Sequence, residues 1–308
     1  MALFKKNQEG ASVGPRIRLK DDLISYGMMS PFLVMYLLMV VSPILVAIFF
    51  SFTSYDMFSA PELVGLDNFV YLFVSDSVFI QALVNTLKFA VVTGPVSFLL
   101  CFLLAWIIND LPPTIRAIVT LVFYAPSISA NAYVIWQYVF SSDSYGLANS
   151  WLMSVGLMDE PCLWFTDPDI SLPLLMAVQL WLSLGVGFLS FIAGLQNVDR
   201  QLYEAAAIDG IRSRWEELWY VTLPSMKPML IFGGLNQIVA AFSVGDISMT
   251  LCGFPSVQYA AHTVSLHAYD YGILRYEIGY SAAISLVLFV IVLFSYKLFT
   301  FAVSRVGR

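Results

Sequence analysis

Six stretches of the chain, approximately 26–52, 78–108, 115–140, 170–196, 229–251 and 278–303, are almost wholly apolar, and polar residues gather between them. A bilayer core about 30 Å thick is spanned by roughly 20 residues of helix, so each stretch predicts a transmembrane helix. None shows the inside–outside alternation of an outer-membrane barrel strand. The predicted fold is an all-α membrane protein with six transmembrane helices. The second run is long enough to tilt or bend, and Gly94-Pro95 at its middle predicts a kink.

Composition agrees. Of 308 residues, 59% are hydrophobic and 12% charged, with a mean hydropathy of +0.79. A soluble domain carries about 25% charged residues, and half of that cannot cover a surface in water. Aromatic residues at 15% exclude disorder. A net charge of −6 argues against a nucleic-acid partner, which needs a basic footprint. Cys101, Cys162 and Cys252 are far apart with no C-x-x-C spacing, and His262 and His267 are too few for a histidine metal centre. The first apolar run starts only at Tyr26 and no small-residue cleavage site follows, which argues against a signal peptide.

Basic residues set the orientation. Lys5, Lys6, Arg16, Arg18 and Lys20 precede the first run, Arg116 opens the third, Arg200, Arg212, Arg214 and Lys227 lie between the fourth and fifth, and Lys297, Arg305 and Arg308 close the chain. Thirteen of the fifteen thus fall on one side; Arg275 alone lies opposite and Lys88 is inside the second run. By the positive-inside rule both termini are cytoplasmic. Residues 1–25 read as a cytoplasmic segment and 26–308 as the membrane domain, with 197–228 as its long cytoplasmic loop. The outer loops, 53–77, 141–169 and 252–277, are acidic and carry interfacial aromatics such as Trp151 and Trp164. Their acidity either enforces topology or docks an extracytoplasmic protein.

Compact proteins use short connections, so the cytoplasmic loop needs a purpose. Asp199 is placed to cap a helix over Leu202–Ile208, and Gly210 stands where a helix stop takes a left-handed residue. Ser213-Arg214-Trp215-Glu216 has the form of a capping box and predicts a second helix, ended by Pro224 and Pro228. Leu202, Ala205, Ala206, Ile208, Trp215, Leu218 and Trp219 give this loop apolar surface that must meet something.

Glu204-Ala205-Ala206, then Gly210, then Val221-Thr222-Leu223-Pro224 resembles the EAA loop of ABC importer permeases. That pattern places nine residues between G and I-x-L-P; here there are ten, and Val replaces Ile. Val64-Gly65-Leu66-Asp67-Asn68-Phe69 resembles the G-L-D-N-F/Y segment of the carbohydrate-type permeases, the maltose/oligosaccharide and glycerol-phosphate-like group, as does Leu195-Gln196 followed by Tyr203-Glu204-Ala205-Ala206 and Asp209-Gly210. The resemblance covers nearly the whole chain. It implies a type I importer of the prokaryotic cell membrane: a second homologous permease subunit, a dimer of ATP-binding cassette ATPases, and an extracytoplasmic solute-binding protein. It also implies that Glu204, Ala205, Ala206, Asp209, Gly210, Leu223 and Pro224 couple the chain to the ATPase. No G-x-x-x-x-G-K-[ST] occurs, so this chain is not itself an ATPase; ATP and Mg belong to the partner, and the chain needs no cofactor of its own.

Polar residues within spans tend to face the bundle interior or a water-filled path. Ser129 and Asn131 in the third run, Gln179, Trp181 and Ser183 in the fourth, and Asn236, Gln237 and Ser243 in the fifth are candidates for a sugar path. The resemblance points to the same three helices. Amides and hydroxyls suit a sugar's OH groups, and an indole suits its C–H face. Against this stand local serine–backbone bonds, interhelical bonding by Asn236 and Gln237, and helix packing by Gly185, Gly187, Gly233 and Gly234. An ion-coupled secondary carrier is the alternative, but it would need carboxylates near the midplane, and the spans hold only Asp246, near one end. A permease for glycerol phosphate is the other.

Overall fold

The computed structural model describes residues 15–129 and 131–305, with side chains from Leu23 onward. Lys5, Lys6 and Arg308, which entered the charge argument, lie outside the described residues. Helices dominate; the β pairing among the described residues is an isolated antiparallel bridge between Thr53 and Leu63.

The chain divides into two units, residues 1–49 and 50–308. The first holds α1 (Pro15–Tyr36) and most of α2 (Ser42–Phe50), continuous through a π turn at Leu37–Val41. Leu23–Phe50 is long and apolar enough to cross a membrane. Met28, Phe32 and Leu38 on it are exposed, as suits contact with lipid chains.

The second unit contains α3 (Asp67–Val74), α4 (Ser77–Asn109), α5 (Pro113–Ile128), α6 (Ile135–Val139), α7 (Leu147–Ser154), α8 (Pro168–Leu182) and α9 (Val186–Gln196). There follow α10 (Arg200–Ile208), α11 (Arg214–Glu217), α12 (Leu223–Ser225), α13 (Lys227–Phe242), α14 (Gly245–Cys252), α15 (Val264–Tyr269) and α16 (Ile278–Ser304). Several starts are written locally. Asp76 accepts from the Phe79 amide at 2.8 Å to cap α4, and Asp167 accepts from the Asp169 amide at 2.9 Å to cap α8. Prolines occupy the first turns of α5, α8 and α13, where no N–H is required.

Three expected spans are not continuous helices. The third breaks between α5 and α6 at 129–131, the fourth bends by 41° between α8 and α9, and the fifth bends by 41° between α13 and α14. Hydropathy does not register such breaks because the residues in them are small rather than charged. The fourth and fifth share one pattern, Ser183-Leu184-Gly185 and Ser243-Val244-Gly245: a hydroxyl that can bond its own backbone, then a glycine. Ser183 Oγ donates to the Leu180 carbonyl at 2.6 Å, and Gly185 leaves the helix at φ −104°, ψ −138°. Conversely, α4 runs through Gly94 and Pro95 as one unbroken helix of 33 residues.

The core forms where α4, α9, α13 and α16 meet, around Phe102, Phe188, Phe191, Leu195 and Leu230. Without a water-driven hydrophobic force between spans, close backbone approach supplies much of the association. A Cβ on Gly233 would lie 2.3 Å from the Phe191 ring, and one on Gly234 would lie 2.2 Å from the Phe299 ring. The 53–77 and 141–169 loops are tied by side-chain amides. Asn68 Nδ2 donates to the Ser51 and Thr53 carbonyls, 2.9 Å each, which gives the G-L-D-N-F segment a structural task. Buried Asn149 donates to the Ser141, Asp143 and Cys162 carbonyls and accepts from Trp164 Nε1, organising the 141–169 loop. All three cysteines are free.

The glycine contacts give a paired test. Gly233→Ala should lower the unfolding temperature of the detergent-solubilised protein, at a cost of about 1–3 kcal/mol for overpacking. Gly94→Ala, whose Cβ meets nothing within 4 Å, should not lower it.

Candidate functional site

On the side rich in basic residues, Asp199 Oδ1 accepts from the Gln201 amide at 3.0 Å and starts α10 as predicted. The helix stops in a Schellman motif: the Ile211 amide donates to the Ala206 carbonyl at 3.0 Å, and the Gly210 amide to the Ala207 carbonyl at 3.4 Å. Gly210 has φ +96°, a conformation costly for residues with a Cβ. The capping box of Ser213 and Glu216 is formed and starts α11.

The second helix corrects one expectation. It does not end at Pro224 but continues through a π turn, Leu218–Thr222, to Ser225, and the break falls at Met226. A π turn holds one residue more than an α turn. The tenth residue between Gly210 and Val221 is accommodated there, and the wider turn also suits Pro224, which has no N–H to place in an α ladder.

Ala206 and Leu218 point inward, whereas Glu204, Ala205, Asp209 and Gly210 are exposed and Leu223 and Pro224 are partly buried. Leu202, Trp215 and Trp219 are exposed as well, and Ile208 is 87% exposed. The apolar surface expected of this loop is therefore uncovered except at Ala206 and Leu218, which turn inward. Behind it the loop is clamped to the bundle. Tyr203 and Thr222 share a hydroxyl–hydroxyl bond of 2.9 Å, joining α10 to the π turn. Arg214 pairs with Asp110 at the end of α4 and lies 5.3 Å over the Trp106 ring, and Trp106 and Trp215 pack with centroids 5.1 Å apart. A cavity of about 670 Å³, lined in part by Asn109, Arg116, Gln196, Tyr203 and Thr222, opens between these groups.

The path candidates divide. Ser129 and Asn131 lie at the first helix break, Ser183 at the second and Ser243 at the third. Irregular backbone inside a membrane is tolerated where it lines a cavity or is buried in protein. Ser129, Asn131 and Ser243 are exposed, and Asn131 Oδ1 accepts from Tyr133 Oη at 3.4 Å. Gln179 is buried. Trp181 packs edge-on against Trp136 with centroids 5.3 Å apart. Trp136 was not singled out in the sequence; its Nε1 is buried without a hydrogen-bond partner among the described residues.

Two candidates have structural tasks. Gln237 Nε2 donates to the Ser183 carbonyl at 3.0 Å and to Cys101 Sγ at 3.2 Å, tying α13 to the α8–α9 break and to α4. Asn236 Nδ2 donates to the Phe232 carbonyl of its own helix at 2.8 Å. Gln237→Leu should therefore destabilise the solubilised protein by about 0.5–1.5 kcal/mol, the net worth of a hydrogen bond lost where other donors remain. Asn236→Ala should leave its unfolding temperature near wild type.

No protein-family model matches the sequence. Individual relatives do. A probable ABC transporter permease of Bacillus subtilis, YesP, is 32% identical over 277 residues, 89% of this chain and 88% of its own. The arabinooligosaccharide permease AraP of the same organism is 30% identical over 86% of this chain and 83% of its own. The trehalose/maltose permease MalF of Thermococcus litoralis is 30% identical over 95% and 96%. A bacterial ABC transporter that imports the acidic polysaccharide alginate has a chain that superposes with a TM-score of 0.73 at 26% identity, covering 94% of this chain and 98% of that one. A second crystal structure of an alginate transporter, in complex with a pentasaccharide-bound periplasmic protein, gives 0.74 at 25% identity. With an E-A-A helix held out from the bundle and identity running along most of these relatives' length, the chain belongs to the family of ABC transporter permeases that includes these carbohydrate-import subunits.

Proposed function

We propose that the chain is a permease subunit of a binding-protein-dependent, ATP-driven importer of sugars, oligosaccharides in particular, and forms half of the translocation path. The observation that carries the reading is the uncovered α10–α12 surface, rigid within itself and clamped to α4, which suits docking to a separate ATPase. Rigid-body motion of a docked ATPase would pass through Arg214–Asp110 and Trp215–Trp106 into the longest helix of the bundle. Partners follow from the family: a second permease, an ATPase dimer that holds ATP and Mg, and a binding protein outside. The chain itself supplies no hydrolysis.

Counting each bent pair as one span gives six, and the positive-inside rule then sets both termini in the cytoplasm of a prokaryotic cell, with 1–25 leading into the 26–308 permease domain. Gln179, Trp181, Ser129, Asn131 and Ser243 are the residues we assign to the sugar path, with Asn236 beside it; Ser183 and Gln237 hold the broken helix that shapes it. Apart from Arg116 and Lys227, both at the ends that the positive-inside rule puts in the cytoplasm, spans three to five contain no cation. That half-path fits an uncharged sugar better than glycerol phosphate.

Two experiments test this. Cysteines at Tyr145, which is 92% exposed, and at Arg305 should label from opposite sides, Tyr145→Cys from outside intact cells and Arg305→Cys only after permeabilisation. Gly210→Val should reach the membrane at wild-type level yet cut sugar uptake at least tenfold, because its backbone cannot hold φ +96°. Trp181→Ala should leave ATPase copurification unchanged and slow uptake roughly five- to a hundred-fold, as loss of about 1–3 kcal/mol at a binding contact implies. Normal uptake by both variants would reject the coupling and path assignments.

A further inference from the structure

We propose that Asp76, His267 and His262 form a proton-operated latch, which locks the 256–277 loop to both α4 and α16 while neutral and releases it when a proton enters. That the loop faces the outside rests on the orientation proposed above; the latch itself does not.

In sequence the two histidines were noted only as too few for a metal centre. In the structure they are 1% and 2% exposed and in direct contact. His267 Nε2 lies 3.0 Å from Asp76 Oδ2, which also accepts from Tyr280 Oη at 2.7 Å, and His262 Nε2 lies 3.1 Å from His267 Nδ1. An ionised carboxylate only accepts, so the His267 proton is on Nε2 and its Nδ1 accepts. His262 must then donate from Nε2, which leaves its Nδ1 as a bare acceptor. That atom is buried with no partner among the described residues. An extra proton has nowhere to go without cost. Placed on His262, or passed along the chain to make His267 an imidazolium, it turns His262 Nδ1–H into a buried donor with no acceptor.

The same residues fasten three parts of the fold. Asp76 caps α4, Tyr280 is in the first turn of α16, and His262 and His267 flank the start of α15. Around them, Gln81 donates to the Gln258 carbonyl at 2.8 Å, Asn85 to the Tyr259 and His262 carbonyls at 3.0 and 3.1 Å, and Thr86 Oγ1 accepts from the Val264 amide at 2.9 Å.

The electrostatic surroundings favour the neutral pair. Burial and then neighbouring His267 push His262 down to about 4, against the pull of Asp270 and Asp76; burial likewise lowers His267, against its bond to Asp76. Arg275, which opposes protonation of both imidazoles, is paired with Asp270 at 2.6 Å. The remaining titratable neighbours are Tyr271, whose ring is 4.9 Å from His267, Tyr259, 5.4 Å from His262, Tyr71 of α3 against Tyr280, and Glu277 before α16. Packed against α15, α14 contributes Cys252, buried in a separate cluster, and Asp246, which is exposed. Since the buried imidazoles hold their protons less tightly than free histidine at 6.5, the locked arrangement is at full strength above about pH 6.5. It weakens as pH falls below that value toward the buried one.

Amide hydrogen exchange over 256–277 in the purified complete transporter tests the latch at pH 7.5 and 5.0, with each rate divided by the intrinsic amide rate at that pH. Wild type should open on the order of tenfold more at pH 5.0, and His262→Gln, whose amide can still donate to His267, should respond little. Exchange at the imidazole C2 position, followed by mass spectrometry against pH, should give both wild-type histidines titration midpoints below 6.5. Equal protection of the wild-type loop at both pH values, an equal loss in His262→Gln, or ordinary titration of both imidazoles would each overturn the proposal. If His262→Gln does not assemble, the two wild-type measurements decide. Both faces of the purified complex meet the same buffer, so failure here is separate from failure of the orientation, which cysteine labelling reads.

Discussion

A helix that breaks inside a bilayer frees backbone carbonyls that no water can satisfy, and this bundle depends on how they are satisfied. The Ser183 carbonyl at the α8–α9 break is the clearest instance. It accepts from the Gly185 amide at 2.8 Å, from Gln237 Nε2 on α13 and from Cys101 Sγ on α4. One carbonyl thus ties three helices at the point where the chain is least regular. The glycines beside it, Gly187 and Gly233, let α9 and α13 approach closely enough for the Gln237 amide to reach. Removing the Gln237 amide would cut the direct tie from α13 and leave the carbonyl to the Gly185 amide and Cys101 Sγ.

Broken spans also reconcile two demands on a transport path. Hydroxyl and amide groups must be available to a polar solute, and the surrounding helices must stay sealed. In the path we propose, Ser129, Asn131 and Ser243 would meet the first at the breaks, while Trp136 packs against Trp181 and Gln179 is buried. The helices α10 to α12 meet a different demand. Their outer surface is left largely apolar and exposed, and their inner surface is fixed by an ion pair, an indole pair and a hydroxyl bridge. That combination suits the coupling role we propose for them. At the other end of α4, the Asp76–His267–His262 chain does a comparable fastening with groups that titrate, so the two ends of one helix are held by different chemistries.

Local chemistry and amphipathic economy were legible in the sequence. The cap at Asp199, the box at Ser213–Glu216 and the stop at Gly210 depend on neighbours a few residues away, and each formed as read, whereas three of the six apolar runs are broken helices. The E-A-A helix was legible for the same reason: its small residues and glycine stop are one continuous motif. Tertiary structure decided whatever depends on residues far apart in sequence. Gln237 became a clamp because Ser183 and Cys101 arrive beside it from 54 and 136 positions away. His262 and His267 became a relay because Asp76 arrives from 191 positions away. The breaks at 129–131, 183–185 and 243–244 escaped because hydropathy measures transfer to lipid and is blind to backbone dihedrals. Pro224 was misread as a stop because a π turn, visible only in three dimensions, carries the helix past it. Composition and short-range pattern determined that this chain lives in a membrane and carries an E-A-A helix with a glycine stop; the long-range bonds that satisfy its freed backbone determined where the helices bend and which polar side chains remain free.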